Sequence, residues 1–438
     1  VTSSIRRAAA FAGVATLSLA ASVLVAAVAA LFAAIGAVAL VLDEGTLFDL
    51  FARPSDRNEG RLRGLAAFSF ATAALAMLVM LVGLPTSVFV AAVCLLAYGN
   101  LTEQVVRTRS SATIAATAGF TTGGFVAAVF AQMIVRGIQG NPIGPKVPEL
   151  VFLAASGALL AGLLRSVLFE RDDPVVMFSV AVLLWLFTDL TMTVTKWDII
   201  LAIAITVGFG YVSWALDTAS VTGMLTGILL ALLTIVLGGY PWFAVLISFF
   251  ALGGLSTKFK YEQKRKNGVA EANEGARGGG NVLGNAAVAL VAVLAFAASD
   301  WLPVTKSVFL YAFAGSIAAA MSDTLSSEIG GVFDNPRLIT TWRRVDPGTD
   351  GGVTWQGELA GATGSCIVAL IAVSLFGSIG PLGGGVIALA GIGGMTVDSL
   401  LGATVEGEGL GNQSVNFLAT LAGGLIGAGL ALAVGLAT

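Results

Sequence analysis

Uncharged apolar runs of roughly 15–22 residues recur along this chain, separated by short polar connections. An α-helix needs about 20 such residues to cross a bilayer's hydrocarbon core. A chain that repeats this pattern has one sensible architecture: an all-α, polytopic membrane protein. Composition agrees. Only 11% of the residues are charged and 57% are hydrophobic, with a mean hydropathy of +0.92, where soluble domains run near one quarter charged. The 55 glycines suit helices that pack closely through small side chains.

Fifteen candidate spans can be marked, at 8–26, 27–42, 64–83, 85–99, 113–135, 149–169, 175–193, 198–216, 219–238, 241–255, 282–299, 305–322, 357–377, 382–402 and 414–437, with 13–15 as the expected range. The first two share one uncharged run from Ala8 to Leu42. That run is too long for the apolar part of a signal peptide, and it reads as a tight helical hairpin rather than one tilted helix.

The chain contains no histidine. Ser-His-Asp triads, Cys-His pairs, HExxH zinc sites and histidine proton relays are therefore excluded. Cys94 and Cys366 lie far apart in apolar runs, which indicates neither a disulfide framework nor a thiolate metal site. Chemistry is left to Asp, Glu, Lys, Arg, Ser, Thr, Asn and backbone amides, a repertoire that suits phosphate and Mg²⁺.

With the hairpin counted as two spans, 19 of the 23 Lys and Arg fall on the same side as the N-terminus. The other side receives Arg136, Lys146, Lys196 and Lys306. The positive-inside rule then predicts a multi-pass cell-membrane protein with a cytoplasmic N-terminus and an external C-terminus. On that parity segments 256–281, 323–356 and 403–413 share the cytoplasmic face. The N-terminal half shows no comparable polar set, since Asp189, Asp198 and Asp217 are isolated near span ends. Residues 1–215 read as an added membrane region and 216–438 as the domain that carries the chemistry.

The first of the three segments, "STKFKYEQKRKNGVAEANEGARGGGNVLGN", holds five basic residues from Lys258 to Lys266, then Arg277 and three glycines. It serves either as a positive-inside anchor on anionic lipid or as a phosphate cradle feeding the start of a helix near Asn281 and Asn285. The second, "PRLITTWRRVDPGTDGGVTWQGELAG", combines Arg337, Arg343 and Arg344 with Gly348, Gly351 and Gly352. Arginine makes bidentate phosphate contacts, and glycine lets backbone amides approach.

In "SDTLSSEIG", Asp323 shares a helix face with Ser326 and Ser327. Glu328 points about 140° away unless the helix has ended, as Gly330 and Gly331 suggest. A polar, serine-capped helix end would explain these residues alone, but "GGMTVDSLLGATVEGEG" repeats the arrangement with Asp398 and Ser399. Two carboxylates facing bound phosphates is the usual way to hold Mg²⁺.

These segments, in this order, resemble the membrane family that includes transmembrane protein 19 and the plant phytyl-phosphate kinase of tocopherol synthesis. The resemblance rests on "SDTLSSEIG", "PRLITTW", "DPGTDGGVTWQGELAG" and "DSLLGAT", extends back to "STKFKYEQK" and "GARGGGNVLGN", and covers roughly 220–438. The family pattern has Trp at Leu325 and Ala at Ser322, departures that spare the carboxylates and bear on prenyl or base contacts. The resemblance implies an isoprenoid phosphate kinase that moves a phosphoryl group from a nucleoside triphosphate, CTP in the plant enzyme, to a prenyl monophosphate. Combined with the residue reading, it assigns Asp323 and Asp398 to Mg²⁺, and Glu328 to the metal or to orientation. Lys258, Arg277, Arg337, Arg343 and Arg344 go to phosphates, and Asn285, Gly351, Gly352 and Ser399 to substrate. The expected partners are the nucleotide, the lipid and the bilayer, not nucleic acid.

Two rival functions use the same residues. A lipid or ion transporter predicts inverted repeats and polar groups at mid-membrane, but the halves show no convincing repeat. A CTP-dependent lipid nucleotidyltransferase needs the same acids and cations, and its product alone separates it from a kinase.

Overall fold

The computed structural model describes residues 4–168, 172–190, 192, 194–266, 268, 276–406 and 409–437. The chain divides into two compact units, residues 1–201 and 202–438.

The first unit contains α1 (Ser4–Thr16), α2 (Val25–Val41), the short α3 (Thr46–Phe51) and α4 (Pro54–Glu59), α5 (Arg63–Leu81), α6 (Thr86–Arg107), α7 (Thr113–Ile138), α8 (Val147–Val167) and α9 (Asp173–Asp189). The α6 helix is its centre. Every residue from Val88 to Ala97 is buried, as expected of a helix that is apolar all round. It packs on α1, α7 and α9, while α2 packs on α5. A 3₁₀ turn at Leu17–Ser22 interrupts the long apolar run between α1 and α2.

The helix α10 (Lys196–Ala215) crosses the division at residue 201, earlier than the expected boundary at 215. Its second half belongs with the helices that follow. Phe209 meets Phe243 with ring centroids 5.8 Å apart, and a Cβ added at Gly210 would lie 2.3 Å from Ile228 Cγ1.

The second unit continues with α11 (Val221–Gly238), α12 (Tyr240–Lys258), the short α13 (Tyr261–Lys266), α14 (Gly279–Ala297), α15 (Lys306–Gly330), α16 (Trp355–Leu375), α17 (Pro381–Gly402) and α18 (Asn412–Ala433). Local chemistry sets several starts. Ser220 Oγ accepts from Gly223 N at 3.2 Å, Thr354 Oγ1 accepts from Gly357 N at 3.2 Å, and proline opens α12 and α17. A two-residue antiparallel pairing, β1 (Arg337–Leu338) with β2 (Gly352–Val353), closes the loop between α15 and α16.

The α15 helix is the hub, packed by α12, α14, α16, α17 and α18. Glycines bring the backbones almost into contact. A Cβ at Gly423 would lie 2.5 Å from Ala319 Cβ, one at Gly315 2.6 Å from Gly423 O, and one at Gly427 2.6 Å from Tyr311 O. One end of this bundle is aromatic, where Trp242 meets Phe313 at 4.6 Å and Phe296 at 4.7 Å. The other end is polar.

Among the described residues, 12 helices are long and apolar enough to cross a membrane. The protein is thus polytopic and all-α. The count of fifteen is not reached, because α1, α2 and α9 have only 13, 17 and 17 residues.

Candidate active site

The polar end of the second unit holds a cavity of about 470 Å³. Residues from all three expected loop segments line it: Gly268 and Arg277 from the first, Asp350, Gly351 and Gly352 from the second, Glu406 from the third. The ends of α15 and α17 and the starts of α14 and α18 complete the wall.

Asp323 and Asp398 come within hydrogen-bonding reach of each other. Neither stands at a helix end. Asp323 is seven residues before Gly330 and Asp398 four before Gly402, or about 10 Å and 6 Å along the axis at 1.5 Å per residue. Two facing carboxylates repel unless a proton or a cation lies between them. Asp398 Oδ1 is buried and has no hydrogen-bond partner among the described residues. Ser326 and Ser327 line the same wall as Asp323, as the helix spacing requires, and Ser399 adjoins Asp398.

Glu328 also borders the cavity, but α15 does not end before it. Its Oε2 pairs with Lys264 of α13, which is 1% exposed. Lys264 Nζ donates as well to the carbonyls of Ser256 (3.2 Å) and Thr257 (2.6 Å) in the last turn of α12. Glu328 is thus neutralised by an ion pair. An unmarked member of the run from Lys258 to Lys266 supplies the cation.

Arg277 is 7% exposed and lies over the Phe249 ring at 5.3 Å. Its backbone is clamped: Ser220 N donates to Arg277 O at 3.1 Å, and Arg277 N donates to Thr218 O at 3.0 Å. A Cβ at Gly223 would fall 2.1 Å from Arg277 O, so that approach requires glycine. Near the start of α14, Asn285 Nδ2 donates to Asn281 O at 3.0 Å, and both asparagines face the cavity with Asn412 and Asn416 of α18.

The "DPGTDGG" turn is held by one close approach. Gly351 has φ +71°, and a Cβ there would lie 2.5 Å from Ala403 N and 2.6 Å from Ser399 O. This contact seats Asp350 beside Glu406. Burial raises the Glu406 carboxyl above its ordinary range, and the charges of Asp350 and Asp398 add to the effect.

The remaining expected phosphate ligands lie elsewhere. Lys258 Nζ donates to Leu216 O at 2.8 Å, away from the cavity. Arg337 donates to Trp342 O at 2.8 Å, while Arg343 and Arg344 are exposed on the outer strand of the loop, where Leu338 N donates to Arg343 O at 2.9 Å. Trp342, at φ +55°, turns the chain there. Among the described residues Arg277 is thus the only Lys or Arg in the cavity wall. The wall is acidic, where the loops suggested a basic one. The departures from the family pattern also face away. Ser322 Oγ donates to Gly361 O of α16 at 2.7 Å, and Leu325 packs toward Gly364.

Comparison with known proteins follows the same division. A model of the family described as integral membrane protein DUF92 matches residues 204–424. The chain belongs to this family. The DUF92 region contains every motif that carried the resemblance and every residue named in the cavity. A membrane protein of Methanocaldococcus jannaschii is 40% identical over 193 residues, which is 43% of this chain and 76% of the relative. The chloroplastic protein VTE6 of Arabidopsis thaliana is 32% identical over 212 residues, 47% of this chain and 63% of its own length. Protein PGR of the same plant is 31% identical over 241 residues, 50% and 82% respectively. No solved structure matches the chain.

The described residues contain no group of three or more His, Cys, Asp or Glu side chains set to hold a metal by themselves. A pair of carboxylates fits Mg²⁺ nonetheless, because that ion usually takes one or two carboxylates and completes its shell with water and substrate phosphates. The partnerless Asp398 Oδ1 is the observation that favours the fit.

Proposed function

We propose that the DUF92 unit is an isoprenoid phosphate kinase, transferring the γ-phosphoryl group of a nucleoside triphosphate, CTP by resemblance to the plant enzyme, to a prenyl monophosphate. The facing Asp323 and Asp398, with an unpartnered Oδ1 inside a polar cavity at a bundle end, carry this reading. The family resemblance supplies the substrate class.

An acidic wall repels a bare triphosphate, so nucleotide phosphates can enter only with a cation. Mg²⁺ held by Asp323 and Asp398 would supply that neutralisation. Arg277, fixed by its clamped backbone and by Phe249, binds the acceptor phosphate. Asn281, Asn285, Asn412 and Asn416 offer neutral hydrogen bonds that orient both substrates without adding charge. In the reaction an oxygen of the prenyl monophosphate attacks the γ-phosphorus and the bond to the β,γ-bridging oxygen breaks, giving prenyl diphosphate and nucleoside diphosphate. A phosphate monoester is largely dianionic at neutral pH, so no proton has to be removed from the nucleophile. A chain without histidine is therefore equipped for this transfer, which depends on alignment and charge neutralisation. The cavity is expected on the cytoplasmic face, where nucleotides are available, if the parity read from the positive-inside distribution holds. Labelling of cysteines placed at Lys260 or Asp350 by an impermeant reagent from outside the cell would contradict that.

The test is direct. Purified protein is incubated with Mg²⁺, farnesyl monophosphate and CTP labelled at either the α or the γ phosphorus. Farnesyl diphosphate carrying the γ label is expected. Appearance of the α label in a lipid product would establish a nucleotidyltransferase instead, and no product with any nucleotide would end the kinase reading.

A further inference from the structure

Arg277 borders a second space. A cavity of about 80 Å³ lies among α10, α11, α12 and α14, with an apolar wall that includes Met224, Phe243 and Phe250. Arg277 lines both this cavity and the polar one. We propose that the apolar cavity receives the carbons nearest the phosphate of a single-chain lipid monophosphate, whose headgroup lies on Arg277 facing Asp323 and Asp398. The proposal deepens the kinase reading and rests on it for the chemistry of the headgroup.

Three observations favour this occupant. First, among the described residues Arg277 is the only Lys or Arg lining either cavity, so an anion with an apolar tail matches the pair of spaces better than any neutral lipid. Second, the size suits one chain: a cavity of about 150 Å³ holds benzene, so about 80 Å³ takes a few carbons and excludes two acyl chains side by side. Third, Gly227 of α11 and Gly254 of α12 line the space, and a Cβ added at either meets nothing within 4 Å. Most helix-packing glycines of this unit have no such room. These two leave open volume instead of permitting a contact.

The experiment uses the full-length protein and farnesyl monophosphate bearing a diazirine on its first isoprene unit. Photolabelling mapped by mass spectrometry should fall on the wall of the small cavity, at residues such as Met224 and Phe250. Excess unlabelled farnesyl monophosphate should displace it; farnesol and phosphatidic acid should not. Gly227→Leu and Gly254→Leu fill the space, and each should lower labelling and raise the KM for farnesyl monophosphate by about tenfold or more. The KM for CTP and the unfolding midpoint in detergent should stay unchanged. Labelling needs no turnover. Cavity labelling without farnesyl diphosphate formation would therefore refute the kinase reading and leave the lipid site standing. Labels confined to residues outside the cavity, or normal labelling in both leucine variants, would overturn the site itself. Displacement by phosphatidic acid would overturn the single-chain assignment.

Discussion

The first unit links charges from distant helices into a chain of ion pairs, while the second arranges several of its acids around a cavity. In residues 1–201, Arg53 pairs with Asp173 (2.7 Å), Asp173 with Arg165 (2.9 Å), Arg165 with Glu103 (3.3 Å) and Glu103 with Arg107 (2.8 Å). Buried Asp56 accepts from the backbone amides of Arg53 and Gly64. In residues 202–438, Asp323, Asp398, Asp350 and Glu406 border one space, with Arg277 as the one Lys or Arg of its wall among the described residues. Charges that neutralise one another hold helices together. Acids that face each other repel instead, so they add nothing of that kind to the packing of the second unit.

The largest effect should come from breaking the acidic pair. Asp323→Asn and Asp398→Asn are each expected to lower turnover by about 100-fold or more, with membrane insertion and helical content intact. Mild kinetics in both variants would show that these acids are merely polar helix residues.

The paired charges should fail differently. Asp173→Ala removes the carboxylate that Arg53 and Arg165 share, and losing one member of a buried ion pair costs about 3–5 kcal/mol. Thermal unfolding in detergent measures this, and turnover per folded molecule should hold. Equal loss of turnover and stability would erase the functional contrast between the units.

Lys264 tests whether a closed pair inside the second unit behaves like those of the first. Lys264→Met should destabilise by about 3 kcal/mol, and the double variant with Glu328→Gln should recover part of that loss. If instead the double variant is as inactive as Asp398→Asn, Glu328 belongs with the open acids.

The smallest effect concerns Glu406, whose raised carboxyl favours the protonated form in the folded state. Its contribution to stability is present below the ordinary glutamate value and lost as pH rises through the elevated one. Glu406→Gln should therefore raise the unfolding midpoint by roughly 1–2 °C at pH 8 without Mg²⁺, and change little at pH 4. A uniform shift across pH would remove the electrostatic explanation.

Sequence made the helices and the two central acids legible because both are local signals: long apolar runs, and Asp followed by hydroxyl or small residues near a span end. It missed the chain of charges in the first unit, whose members at 53, 103, 165 and 173 lie far apart along the sequence and meet only through packing. It also missed Lys264, since nothing within "KFKYEQKRK" shows which lysine α13 turns inward. Arg343 and Arg344 looked like phosphate ligands because composition carries no direction. The β1–β2 closure and the turn at Trp342 set them outward.

The near contact of backbones around α15 has a mechanical consequence. A helix gripped at Gly315, Gly423 and Gly427 cannot slide or roll by a fraction of a turn without driving main-chain atoms together. Alternating access works by rocking one helix group against another, and a shaft fixed in this way is poorly suited to that motion. Under the proposed function, the motion that admits and releases substrates would fall to the loops over the polar end. On that reading Asp323 would then stay at a constant depth, as a fixed reference against which the soluble and lipid substrates are brought into line.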